Sequence, residues 1–155
     1  MIENYIFDLY GTLVDIRTDE SMPSLWKRMA LLLSLEGAPY APEELQGAYR
    51  AMVEEQIERR AEALPGIVRE HVEPDILPVF HGLYTRKGAA ASPERAQAAA
   101  LFFRTLSMRH IRLYPGAGEV LRTLRERGKG VYLLSNAQAA FTVPELKKAG
   151  PFRPL

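Results

Sequence analysis

Asp8 stands directly after the apolar run Tyr5-Ile6-Phe7 and just before a Gly11-Thr12 turn. A carboxylate placed just past a buried strand is held rigidly at the mouth of a sheet. There it can attack an electrophile and carry it as a covalent intermediate. Gly11 lets the backbone turn sharply, and Thr12 can hydrogen-bond across the turn. The plainer alternative is that Asp8 and Asp15 are turn residues bounding a strand. A second polar pair, Ser135-Asn136, ends the apolar run Val131-Tyr132-Leu133-Leu134. In open α/β sheets ligands bind beyond the carboxyl ends of the strands, which is where both sets of polar residues fall.

The remaining candidates have plainer readings. His71, His81 and His110 are separated and show no metal-ligand spacing. Gly116-Ala117-Gly118 precedes a helical stretch but follows no strand and lacks the lysine of a phosphate loop, so it reads as helix entry. Glu54-Glu55 and Arg59-Arg60 form the exposed face of a helix, and Trp26 with its leucine neighbours reads as core. Arg17 and Arg50 could meet an anionic substrate, with nothing in the sequence to single out either one.

The elements that must position Asp8 and Ser135 follow from hydrophobic spacing. Tyr5–Phe7 and Val131–Leu134 are short continuous apolar runs, as suits strands buried on both faces of a parallel sheet. A helix over about 118–127 carries Val120, Leu121 and Leu124 on one face and stops at Gly128. Between the two strands, from about Ile16 to Arg112, the spacing predicts four helices. They run from Pro23 to Gly37, from Pro42 to Leu64, from Asp75 to Arg86, and onward from the Ser92-Pro93 cap. A further short helix spans about 141–149, and the prolines at 151 and 154 end regular structure. The sequence therefore predicts an α/β chain with only two strands in its sheet, a core that looks unfinished.

The bulk properties exclude several functions. The 155 residues suffice for one domain with a real core. A net charge of +1 argues against nucleic acid or an anionic membrane surface as partner. The absence of cysteine removes disulfides and thiolate metal sites. The N-terminal MIENYIFDLYG carries Glu3 and Asp8 where a secretory signal would be basic and then apolar, and no apolar stretch approaches a membrane span. A soluble, cytoplasmic protein is expected.

Phe7-Asp8-Leu9-Tyr10-Gly11-Thr12-Leu13-Val14-Asp15 resembles the first motif of the haloacid-dehalogenase-like superfamily. Leu133-Leu134-Ser135-Asn136-Ala137 resembles its second, and Tyr114-Pro115-Gly116-Ala117 the return from cap to core. The resemblance covers the whole chain. It implies a partial Rossmann-like parallel core from residues 1–15 and 113–155, with an α-helical cap over 16–112. It implies a hydrolase acting on a small phosphate ester, with Asp8 as the nucleophile that becomes an aspartyl-phosphate. Mg²⁺ would sit between the Asp8 carboxylate, the backbone carbonyl of Tyr10 and the substrate phosphate. Ser135 and Asn136 would hydrogen-bond the transferring group, and Thr12 would support the loop.

The sequence departs from the phosphatase pattern in two places. Tyr10 stands where typical phosphatases carry a second Asp to protonate the leaving group, and a phenol is a poor substitute near neutral pH. Asp-x-Tyr-Gly-Thr is the form seen in 2-haloacid dehalogenases, whose halide leaving group needs no proton and which need no metal. The family's later lysine and acidic cluster also have no counterpart: after Asn136 the only side-chain carboxylate is Glu145, and Lys147 and Lys148 come too soon. Magnesium held by one side-chain carboxylate and a carbonyl would be weak or absent. Three readings stay open: a phosphatase, a 2-haloacid dehalogenase, and a truncated, catalytically inactive fragment or interaction module. The last would expose an apolar edge, with self-association through the incomplete core.

Overall fold

The computed structural model describes residues 2–64 and 66–149; the expected break at the prolines 151 and 154 lies outside them. The chain divides into two compact units. One comprises Met1–Asp19 with Met108–Leu155, the other Glu20–Ser107.

Among the described residues, the first unit holds all the strands. Strand β1 (Asn4–Phe7) pairs in parallel with β4 (Gly130–Leu133), in the register Asn4 to Gly130 through Phe7 to Leu133. Strands β2 (Val14–Thr18) and β3 (Met108–Leu113) form a separate antiparallel ribbon, with Val14 opposite Leu113 and an irregularity between Arg17 and Thr18. Helix α5 (Ala117–Glu126) starts after Gly116, which adopts φ 82°, and α6 (Ala139–Ala149) follows the second motif with Pro144 inside it.

The core of this unit is small. Leu9, Leu13, Val14, Ala117 and Leu121 are buried together, with Phe7, Ile16, Ile111, Leu113, Val131 and Leu146 packed partly against them. The loop after β1 therefore supplies two of the five buried residues, Leu9 and Leu13, and β2 a third, Val14. The parallel sheet is less well covered: Ile6, Tyr132 and Leu134 are exposed at 66%, 57% and 70%. Both faces of parallel strands are ordinarily buried, so two strands with one packed side leave apolar side chains in water.

The second unit is helical, with α1 (Pro23–Leu35), α2 (Pro42–Ala63), α3 (Ile76–Thr85) and α4 (Pro93–Ser107). Proline opens α1, α2 and α4 at positions where a missing N–H is harmless. The Asp75 carboxylate caps α3 by accepting from the Leu77 N–H. Trp26, Tyr49, Phe80 and Phe103 form its aromatic centre, with ring centroids 4.9–5.9 Å apart in tilted arrangements. Trp26 is thus core, as its spacing implied. Of the apolar stripe read on α2, Leu45 and Tyr49 are buried, Ala48, Met52, Val53, Ile57 and Ala61 are half-buried, and Leu64 is exposed.

Two expectations need correction. Among the described residues the sheet-forming part has four strands rather than two, and the helical segment is shorter than 16–112. Residues 16–18 and 108–112 are strand instead. The reason is visible in the residues: Val14-Asp15-Ile16-Arg17 and His110-Ile111-Arg112-Leu113 alternate apolar and polar with the period of a half-exposed strand.

Candidate functional site

The parallel pairing of β1 and β4 brings the two motifs together. The Leu134 N–H donates to the Phe7 carbonyl at 2.9 Å, which continues the ladder past the last paired residues. Asp8 then leaves β1 beside the point where Ser135 leaves β4. Asp8 is exposed, Ser135 half-buried and Asn136 exposed. Ser135 is also held locally, its hydroxyl accepting from the Ala137 N–H at 3.3 Å.

The loop carrying Asp8 is tightly built. The Leu9 carbonyl accepts from the N–H groups of Thr12, Leu13 and Val14 at 3.4, 2.8 and 2.9 Å, and the Gly11 N–H donates to the Val14 carbonyl at 2.9 Å. Gly11 adopts φ 78°, in the left-handed region that L side chains avoid, while its side has open space. The requirement for glycine is therefore conformational, not steric. Leu9, at 1% exposure, anchors the loop in the core. An anchored, hydrogen-bonded loop fixes the backbone on either side of Asp8, as a nucleophile needs. Thr12 is exposed and donates its own N–H into this turn, so its backbone supports the loop.

Tyr10 points to α6. Its phenol donates a hydrogen bond to the Glu145 carboxylate and lies 3.5 Å from the Thr142 hydroxyl. Glu145 and Thr142 are both buried, at 8% and 9% exposure. Sequence reasoning noted Glu145 as a leftover carboxylate and did not connect it to Tyr10. The only signal was a carboxylate on a helix that otherwise turns Phe141 and Leu146 inward.

Magnesium fits this donor set poorly. Among the described residues, no group of three or more His, Asp or Glu side chains could hold a metal ion. The loop offers one side-chain carboxylate, Asp8, and the Tyr10 carbonyl, which would leave most of an octahedral Mg²⁺ shell to water and substrate oxygens. The three histidines are apart: His71 and His81 are exposed, and His110 pairs with Asp15 at 3.0 Å. Lys147 and Lys148 are exposed at the end of α6, as befits charges that complement a helix dipole. Among the described residues, no helix is long and apolar enough to cross a membrane.

Comparison with known proteins supplies the family. Among curated proteins none matches significantly. Among solved structures, a HAD family enzyme of Bacteroides thetaiotaomicron is 21% identical over 99% of this chain and 63% of its own, with a TM-score of 0.47. A second structure of that enzyme, in complex with magnesium and inorganic phosphate, gives 22% identity, coverage of 99% and 62%, and a TM-score of 0.49. The chain thus spans less than two thirds of the length of these structures. The family model of haloacid dehalogenase-like hydrolases matches residues 2–153, nearly the whole sequence. With an α/β fold and a parallel pairing that joins the two motifs, the chain belongs to the haloacid dehalogenase-like hydrolase family.

Proposed function

We propose that the protein is a phosphatase of small phosphorylated metabolites, acting through Asp8, with Tyr10, Thr12, Ser135 and Asn136 completing the site and the helical unit serving as its cap. The observation that carries the reading is the parallel pairing of β1 with β4, which sets Asp8 beside Ser135 at the carboxyl ends of adjacent strands. An Asp8 carboxylate oxygen would attack phosphorus as the ester oxygen leaves and takes a proton from water, giving an aspartyl-phosphate that water then hydrolyses to phosphate and free Asp8. The Ser135 hydroxyl and the Asn136 amide would donate to the phosphoryl oxygens as charge builds on them. Magnesium, present with phosphate in the Bacteroides structure, would require oxygen ligands beyond those described here, so no step is assigned to it.

The test is phosphate release from a panel of phosphomonoesters, with and without Mg²⁺, beside an Asp8→Asn variant. Turnover lost in the variant supports the reading; turnover that survives removes Asp8 as nucleophile.

Tyr10 favours a second reading, a 2-haloacid dehalogenase. Its phenol is committed to Glu145, which does not suit an acid meant for the leaving group, and a departing halide needs none. Halide release from 2-haloacids without metal would select it, and no release across a panel would discard it. The exposed Ile6, Tyr132 and Leu134 favour a third reading, an inactive interaction module that self-associates through this sheet. A folded, strictly monomeric chain would count against that reading.

A further inference from the structure

The β2–β3 ribbon carries a charged cleft that the reading above does not use. Arg17, Thr18, Asp19, Arg109 and His110 line an open cleft of about 630 Å³, in the size range of small-molecule sites. Arg17 lies directly opposite His110 in the antiparallel register, and Asp15 opposite Arg112. Residues two apart on a strand share a face, so these four side chains stand on one side of the ribbon.

The charges on this ribbon are unevenly matched. Asp15 is shared by two side chains, with Oδ1 3.0 Å from His110 Nε2 and Oδ2 2.9 Å from Arg112 Nε. Asp19 accepts from the Arg109 guanidinium at 2.8 Å. Both carboxylates are therefore engaged by guanidinium groups other than that of Arg17. No hydrogen bond or ion pair joins Arg17 to a carboxylate among the described residues. A guanidinium presents a rigid fork of donors that matches an oxyanion in two parallel hydrogen bonds. The Thr18 hydroxyl beside it can donate a third. The irregularity between Arg17 and Thr18 breaks the strict alternation, which lets neighbouring residues of β2 line the same cleft.

We propose that this cleft is an anion-binding site, which takes the phosphate or carboxylate group of a small molecule on the Arg17 guanidinium and is separate from the Asp8 loop. The claim does not depend on turnover, so it stands or falls apart from the phosphatase reading.

The test is a titration of the full chain followed by the backbone amide resonances of Thr18 and His110. Inorganic phosphate and succinate serve as probes, with chloride at matched ionic strength as the control. Saturable shifts with phosphate, succinate or both are expected, and whichever probe binds more tightly names the group. Arg17→Gln is expected to weaken that binding about ten-fold, the size of one lost hydrogen bond to a charged group. Arg17→Lys, which keeps the charge but not the fork, should fall between the two. Asp8→Asn should leave these shifts unchanged. The proposal is overturned by shifts that do not saturate, by the same response to chloride, or by equal binding in both Arg17 variants and the parent chain. It is equally overturned if Asp8→Asn, rather than Arg17→Gln, abolishes the response.

Discussion

The phenol of Tyr10 donates its hydrogen bond to the carboxylate of Glu145, 135 residues further along the chain. This bond ties the loop after β1 to α6, the helix that follows the second motif. A phenol facing solvent would have satisfied itself with water. Here the hydroxyl meets a carboxylate that is 8% exposed, so each group gives the other a partner that solvent supplies poorly.

Tyr10→Phe is therefore expected to destabilise the chain by roughly 1–3 kcal/mol, the cost of leaving a buried acceptor without one of its donors. Glu145→Gln keeps an acceptor oxygen and should cost less. Urea unfolding of both single variants and the double variant measures this. A coupling energy of at least about 0.5 kcal/mol is expected between the two positions. Additive variants would show that the bond contributes nothing to stability.

Gly11 presents a conformational requirement that can be separated from a spatial one. Its φ of 78° disfavours any L side chain, yet a Cβ there would meet nothing within 4 Å. Gly11→Ala should thus cost roughly 1–2 kcal/mol from backbone strain alone. Gly11→Asn should cost less, because asparagine tolerates the left-handed region. Thermal unfolding of the two variants checks the order. An alanine variant as stable as the parent would mean that the turn relaxes to another conformation.

The loop and its glycine were legible in the sequence because local chemistry determines them: a short apolar run, a carboxylate and a Gly-Thr turn specify a strand and its exit. The helix starts were legible for the same reason, with Pro23, Pro42 and Pro93 each at a first helical turn. The β2–β3 ribbon was not read, although its alternation is plain once sought. Ile16 and Ile111 are single apolar residues between charged ones, a weaker signal than a continuous run. The Tyr10–Glu145 bond could not be read at all, since nothing in residue spacing tells which helix a loop side chain will meet.

Asp15 makes the ribbon sensitive to acid. Hydrogen bonds from His110, then from Arg112, hold its carboxyl below the ordinary aspartate value of 3.8. A carboxyl depressed in the folded state contributes stability above its unfolded pKa and loses it as pH falls through the folded one. The contribution is thus present at neutral pH and fades only below pH 3.8. His110→Gln should raise the Asp15 pKa towards 3.8, and carboxyl carbon NMR would follow it. An Asp15 that already titrates at the ordinary value in the parent chain would refute the pairing.

Ile6 and Tyr132 are cross-strand partners in the parallel sheet, and both are more than half exposed. Apolar side chains in water contribute little burial, so replacing both with threonine should change stability by no more than about 0.5 kcal/mol. Threonine keeps the branching that favours strands, which isolates the effect of the apolar surface. If the chain self-associates through this sheet, the same double variant reduces that association, measured by light scattering against protein concentration, because it removes apolar side chains from the exposed face. The two readouts move together if this face is covered in solution. A stability loss of several kcal/mol together with dissociation of an oligomer would mean that Ile6 and Tyr132 are buried against a second copy. Unchanged stability and unchanged monodispersity would mean that the sheet tolerates its exposed face.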